Sequence, residues 1–419
     1  MNEWCSLEEV YAAYLDCRKR KRTSRSCARF ERNEMVYLYQ LWEELNTHTY
    51  EIGYSNTFCV TRPKVREVFA ADFKDRIVHH LLIKRLIGLF EKHFIPDTYN
   101  CRKGKGTDYG IKRMLEYAEK YKDGYVMICD LKGFFMSIDK TILANKLEAF
   151  IRENYHKADI ESIIWITRKI ALHKPQHKCR RKGNLDLWNK LDKNKSLFTN
   201  DQNCGQAIGN LTSQINANFY LSPFDEEISR KLQIDYGRYV DDFGLFHHNK
   251  AYLLALLPKI RTFLRNELHL KLHPNKLYIQ KVSKGFKFTG SVIKQSRIYA
   301  GKRTIGNTIN VIKYYNNVAN KEEVIHDFAQ RCNSYFGFLI RKKTYAIRWK
   351  LWNMISDELK KYVYITQDMA VIKIRTKYKL KTQILKSYGT TRKKRRVQRD
   401  GCRLQKSNKT ILYPQYCTS

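Results

Sequence analysis

The chain has 419 residues, with 79 Lys or Arg against 41 Asp or Glu and a net charge of +38. Hydrophobic residues at 43 % and aromatics at 13 % supply a real core and exclude a disordered tail protein. So large a positive charge repels itself unless a polyanion neutralises it, which makes nucleic acid the first candidate partner and an anionic membrane surface the second. No apolar run approaches the roughly 18 residues of a spanning helix, and MNEWCSLEEV at the start lacks the apolar region of a signal peptide. The expectation is a cytoplasmic protein with no membrane partner. Eleven dispersed cysteines without a CxxC pair argue against a disulfide scaffold. The local group His173, His177, Cys179 and Cys204 reads as a basic surface loop rather than a zinc site.

In chain order, Ser6 and Glu9 form a candidate capping box ahead of a helix that ends in the basic block Arg18–Arg22. Residues 61–95 interleave Lys64, Arg66, Lys74 and Arg76 with apolar positions, and Asp75 to Phe90 reads as one long helix. A turn at Ile95-Pro96-Asp97 leads to a basic glycine loop holding Arg102, Lys103 and Lys105. Tyr125 to Cys129 is a short buried strand ending at Asp130. Residues 173–206 are polar and read as an insertion or long connection. Gly205 to Leu221 is a loop leading into a helix, and a strand pair centres on Tyr239-Val240-Asp241-Asp242-Phe243. Gly285 to Gly290 is strand-like, and residues 305–360 are helix-rich. Residues 373–409 carry 15 Lys or Arg against one acidic residue.

Asp130 closes one strand, and Asp241 with Asp242 sits where a hairpin turn would be. Asp-Asp alone is ordinary turn chemistry. Three carboxylates with apolar flanks in so basic a chain need positive charge beside them, and divalent metal ions supply it. Mg²⁺ favours a few carboxylates plus substrate phosphates, so the trio suits two-metal phosphoryl transfer.

At this point the motifs resemble those of reverse transcriptases. Tyr239-Val240-Asp241-Asp242 is similar to their YxDD box, and Asp130 to Phe135 to their first aspartate motif. Arg66 to His80, Tyr99 to Thr107, Ile208 to Gln214, His273 to Lys276 and Gly285 to Gly290 resemble the remaining blocks in the right order. The form Ile208-Gly209-Asn210-Leu211-Thr212-Ser213-Gln214, in place of QGxxxSP, resembles reverse transcriptases of diversity-generating retroelements. Antiphage defence reverse transcriptases, which copy an adjacent non-coding RNA, share much of this pattern.

The resemblance implies an α+β right-hand polymerase with an antiparallel palm sheet and a helical thumb. Its parts would be N-terminal helices and fingers at 1–129, palm at 130–300 with an insertion near 171–206, thumb at 301–370 and a basic extension at 371–419. It implies a bacterial or phage-encoded RNA-directed DNA polymerase working on a template RNA, an RNA–DNA hybrid and dNTPs, with a small basic accessory variability protein as a further partner. Asp130, Asp241 and Asp242 would be catalytic and, with the Leu131 carbonyl, would hold two Mg²⁺ ions, Mn²⁺ being able to substitute. Phe135 would exclude a 2′-hydroxyl, with Phe134 facing the core. Lys64, Arg66, Arg76, Gly209, Gln214 and Lys276 would line the dNTP site. Arg102, Lys103, Lys105, Ile208 and the run Arg392, Lys393, Lys394, Arg395 and Arg396 would contact nucleic acid. The thumb aromatics Tyr335, Phe336, Phe338, Tyr345, Trp349 and Trp352 would form thumb core. No endonuclease motif is visible, and no RNase H domain is expected after the thumb. A non-catalytic RNA-binding scaffold is the competing reading, against which the three intact aspartates argue.

Overall fold

The structure, a computed structural model, describes residues 4–378 except 20, 62–63 and 202. The run Arg392–Arg396 lies outside these residues. They divide into two compact units, one within Met1–Arg113 and Asp123–Gln280, the other within Met114–Lys122 and Lys281–Thr418.

The first unit is organised around the helix Phe73–His93. Its buried positions Ile77, Val78, Leu81, Leu82, Leu86 and Phe90 follow the helical repeat. The Asp72 side chain caps it by accepting from the Lys74 amide, so the helix begins two residues before the expected Asp75. At its far end Phe90 meets the rings of Phe94, Phe150 and Phe219 at 5.9, 5.6 and 5.5 Å. Truncating Phe90 to Ala would cost about 3–5 kcal/mol. The Ser6–Glu9 capping box is present and starts the helix Leu7–Arg18.

Seven strands form two sheets in this unit. β1 (Ser55–Val60) pairs antiparallel with β2 (Arg66–Ala70) and parallel with β4 (Cys179–Arg181). β3 (Tyr125–Asp130), β5 (Asp235–Tyr239), β6 (Asp242–His247) and β7 (Tyr278–Lys281) form the other, in the order β5-β6-β3-β7. β6 runs antiparallel to both β5 and β3. The helix Lys250–Leu268 buries Leu253, Leu256, Ile260, Leu264 and Leu268 in the same core as Phe224, Tyr236 and Phe243.

Residues 173–206 are more than a connection. They supply the edge strand β4, and three of their groups close on buried Glu67 of β2. Trp188 Nε1, Ser196 Oγ and the Leu197 amide donate to its carboxylate at 2.7, 2.6 and 2.8 Å. A carboxylate is tolerated in an apolar setting when donors satisfy it in this way.

In the second unit, β8 (Phe286–Phe288), β9 (Ser291–Lys294) and β10 (Arg297–Ala300) form an antiparallel sheet. The helices Lys302–Asn316, Lys321–Ile340 and Tyr345–Asn353 pack around Ile312, Tyr315, Phe328, Phe336 and Leu339. β11 (Val363–Ile365) and β12 (Ile372–Ile374) form a hairpin. Two expected core aromatics are not core: Tyr345 and Trp349 stand 56 % and 49 % exposed. Four residues apart on one helix, they share its outward face. Phe338 is half-buried, with the Lys342 ammonium 3.3 Å from its ring centre. Among the described residues no helix is long and apolar enough to cross a membrane.

Candidate active site

β3 and β6 bring the acidic residues together. Their antiparallel register sets Asp130 directly opposite Asp242, and Val240-Asp241 is the two-residue link between β5 and β6. Two-residue links that suit the strand twist need positive φ, normally supplied by Gly or Asn. Here a β-branched residue adopts it: Val240 has φ +58°, a strain of roughly 1–3 kcal/mol. The Leu131 amide donates to the Asp241 carbonyl at 3.3 Å, and the His273 amide to the Asp130 carbonyl at 2.7 Å. The ends of three segments are thereby tied at one point.

Electrostatically the site is short of positive charge. Burial raises the Asp242 carboxyl to about 8, reinforced by the charge of Asp241 and by its contact with Asp130. Burial and then the charge of Asp130 raise Asp241, while Lys276 and Arg66 pull it back. The Lys276 ammonium lies 2.5 Å from Asp130 Oδ2, and Asp130 Oδ1 is buried without a hydrogen-bond partner. An orphaned carboxylate oxygen beside two carboxyls that hold their protons too tightly is the donor set a divalent cation would relieve. The residues present therefore fit Mg²⁺. Among the described residues no three His, Cys, Asp or Glu side chains, the aspartate trio and the group around His173 and Cys179 included, are placed to hold a metal ion by themselves.

Other expected site residues fall in several places. Phe135 is half-buried, while Phe134 beside it is only 2 % exposed. The pair lies on a helical turn, Phe134–Ser137, that follows Gly133 at φ +59°, rather than on an extended strand with opposed faces. Lys64 and Arg66 are exposed, Arg66 opening β2. Arg76 Nε donates to the Ala71 carbonyl at 2.9 Å. Gln214 Oε1 is met by Cys101 Sγ at 2.7 Å. Lys103 is exposed.

Arg102, expected on nucleic acid or triphosphate, is spent inside the fold. Its guanidinium pairs with Glu91 at 2.9 Å and donates to the Ile95 carbonyl at 2.6 Å and Thr98 Oγ1 at 2.8 Å, and the residue is buried. Lys105 also turns inward, donating to the Pro96 carbonyl, and burial lowers it to about 8. Gly209 was expected in the dNTP site, and its close neighbour is β2. A Cβ there would lie 2.9 Å from Val68 and 3.0 Å from the Phe69 carbonyl, at φ +122°. Ile208, also expected on nucleic acid, packs with Phe69, Met136, Leu197 and Ala207, and its carbonyl accepts from the Phe69 amide at 2.9 Å. Both residues secure β2.

A buried set behind the turn escapes sequence reading. Arg238, fully buried, pairs with Asp225 and donates to the Val240 carbonyl, and Asn100 accepts from the Val240 amide. The available signal is a lone arginine in the otherwise uncharged stretch Tyr236-Gly237-Arg238-Tyr239-Val240.

The sheet thus carries paired carboxylates at a hairpin tip, with exposed Arg66 near enough to act on Asp241. The profile of the family described as reverse transcriptase (RNA-dependent DNA polymerase) matches residues 61–293, more than half of the chain. The chain belongs to that family, and its fold is the α+β right-hand polymerase expected from the motifs. It is similar to Protein YkfC of Escherichia coli (strain K12), 22 % identical over 282 residues that cover 59 % of this chain and 68 % of that protein. Among solved structures it is similar to telomerase from Candida albicans in complex with a TWJ fragment of telomeric RNA, at TM-score 0.42 and 10 % identity. Apo telomerase from Candida tropicalis matches at TM-score 0.42 and 12 % identity. Each alignment covers 72 % of this chain and 55 % of the telomerase chain, so the chain spans about half the length of those structures.

Proposed function

We propose that the chain is an RNA-directed DNA polymerase that copies a specific structured RNA into cDNA, and that it is the mutagenic enzyme of a diversity-generating retroelement. The observation that carries the polymerase reading is the Asp130–Asp242 cross-strand pair with Asp241 at the adjoining turn. In the reaction the primer 3′-oxygen bonds to the α-phosphorus of a dNTP while the bond from that phosphorus to the β-phosphate oxygen breaks, and pyrophosphate leaves. The hydroxyl proton passes to solvent. Two Mg²⁺ ions, or Mn²⁺ in their place, held by Asp130, Asp241, Asp242 and the Leu131 carbonyl would activate the hydroxyl and neutralise the triphosphate.

The chain's own groups orient the substrates. Arg66, exposed and close enough to act on Asp241, is suited to the triphosphate, since guanidinium–phosphate contacts are strong and bidentate. Lys64 is a second free-ended cation on the same edge. Lys276 counters Asp130 and stands ready for phosphate charge. Phe135 selects deoxyribose by occupying the 2′ position. The fingers, palm and thumb fall near 1–129, 130–300 and 301–370. The partners are template RNA, the RNA–DNA hybrid, dNTPs and a small basic accessory protein.

The retroelement assignment rests on IGNLTSQ at 208–214. Sequencing cDNA made from a defined RNA distinguishes it from the defence reading. Errors concentrated opposite template adenine are expected for the retroelement enzyme, and errors spread over all four bases sink that assignment in favour of defence.

A further inference from the structure

Arg238 has 0 % exposure although it stands only three residues before Asp241. Asp225 holds its guanidinium in a fork, Nε to Oδ1 at 2.7 Å and Nη2 to Oδ2 at 2.5 Å. Tyr236 adds a hydrogen bond to Asp225 Oδ1 at 2.9 Å. One arm of the fork remains. Nη1 donates to the Val240 carbonyl at 3.0 Å and to Asn218 Oδ1 at 3.3 Å. On the amide side Val240 N–H donates to Asn100 Oδ1 at 3.0 Å, and Asn218 Nδ2 fixes Asn100 by donating to its carbonyl at 2.7 Å.

Both polar backbone groups of Val240 are thus held by side chains, and those side chains are braced from the helices Leu211–Tyr220 and Ser222–Glu226. Val240 is also where the backbone is least comfortable. A β-branched residue at φ +58° relaxes toward negative φ unless its surroundings over-determine it. Any such relaxation swings the next residue, Asp241, away from Asp130. A buried ion pair is a weak stabiliser compared with apolar packing of the same volume, so stability alone does not account for a charged fork at this place. A planar guanidinium locked on two sides offers one donor fixed in direction, which a lysine cannot reproduce.

We propose that Arg238, braced by Asp225 and acting together with Asn100, is a positioning residue that clamps Val240 in its left-handed conformation and so sets the Asp241 and Asp242 carboxylates for nucleotidyl transfer. This rests on the reading of those aspartates as the reaction centre.

The test uses the full chain with R238K, N100A, R238K/V240G and D241N/D242N. R238K keeps charge opposite Asp225 but loses the second reach to Val240. N100A removes the amide-side clamp and carries the same readouts if R238K accumulates poorly. Primer extension on an RNA template should show kcat lowered at least tenfold, KM for dNTP within threefold, and the Mg²⁺ concentration for half activation raised at least fivefold. In metal-free protein, hydrogen exchange at the Val240 amide should quicken at least tenfold in R238K. Glycine adopts positive φ without strain, so R238K/V240G should recover at least fivefold in kcat over R238K. Unchanged exchange at Val240, or activity that falls only with the folded fraction and is not recovered by V240G, overturns the clamp while leaving the aspartates in place. Retained synthesis by D241N/D242N overturns the aspartate reading itself, whatever R238K does.

Discussion

The acidic turn and the basic edge of the first unit are built on opposite plans. Asp241 and Asp242 follow a residue whose N–H and C=O are both gripped by buried side chains, and Asp130 sits in register across the sheet. Lys64 and Arg66 instead stand exposed at the start of a strand. In the proposed reaction the carboxylates meet cations within a few tenths of an ångström, and geometry fixed beforehand lowers the cost of reaching the transition state. The cations must accept a substrate that arrives and a product that leaves. Arg102 shows what happens when a loop cation is gripped as firmly as the turn is: it becomes part of the frame. Charge type alone therefore does not assign a role; what the charged end touches does.

The widest break in that comparison comes from the turn. D241N/D242N is expected to lower Mg²⁺-dependent DNA synthesis by at least about a thousandfold, since both anionic ligands and their field are removed together. RNA binding should stay within about twofold of wild type, because basic surface rather than the carboxylates supplies affinity. Filter binding beside primer extension checks both halves. Loss of binding in step with synthesis would mean the substitution unfolds the protein.

Arg66→Ala and Arg102→Ala should separate the two kinds of cation. Removing an exposed triphosphate contact is expected to raise KM for dNTP about tenfold, equivalent to about 1.4 kcal/mol, with the unfolding midpoint unmoved. Removing Arg102 leaves Glu91 without its partner and the carbonyl of Ile95 and hydroxyl of Thr98 without their donor. It is expected to destabilise by about 3 kcal/mol or more while KM for dNTP holds in the folded fraction. Reversed outcomes would return Arg102 to the substrate and place Arg66 in the frame.

Phe135→Val bears on the sugar. Loss of the ring should let ribonucleotides in, lowering the dNTP over NTP preference by about ten- to a hundredfold, a change of about 1–3 kcal/mol. Incorporation from mixed nucleotide pools measures it, and an unchanged preference would make Phe135 a packing residue like Phe134.

These contrasts explain how much could be read from the sequence. The strand ending in Asp130 and the pair around Asp241–Asp242 were legible because apolar flanks on both sides of a carboxylate are unusual and have few physical meanings. The helix Phe73–His93 was legible from its apolar repeat. Arg102 was misread because a glycine-loop arginine that points inward is spelled like one that points outward; Glu91, its partner, lies a turn of chain away on a different element. Gly209 was placed in the dNTP site and Ile208 on nucleic acid because nothing local shows that both lie against β2. The polar composition of 173–206 gave a loop, and the three residues of β4 with the Glu67 anchor are tertiary facts. Tyr345 and Trp349 were taken for core on hydrophobicity alone, which does not say which face of a short helix is covered.

The smallest expected effect concerns acid stability. Burial lowers His79 to about 3 and His173 to about 4. His79 Nδ1 shares a hydrogen bond of 2.7 Å with Thr212 Oγ1, so the ring is held neutral inside the core. An unfolded chain takes up a proton on each imidazole below pH about 6.5, whereas the folded chain does not until about 3 to 4. The unfolded state then binds more protons, and stability falls as pH drops through that window, by up to about 1.4 kcal/mol per pH unit for each histidine. Above about 6.5 the contribution is complete and flat. Asp75, Asp225, Asp241 and Asp242, whose carboxyls burial raises, act in the opposite direction, so the wild-type profile alone mixes the two. Urea unfolding of wild type and His79→Asn between pH 7 and 5 isolates the imidazole. The variant should be less stable at pH 7, and its loss per pH unit below 6.5 should be smaller than that of wild type by up to about 1.4 kcal/mol. Parallel profiles would mean that His79 takes up its proton in the folded protein as readily as in the unfolded chain.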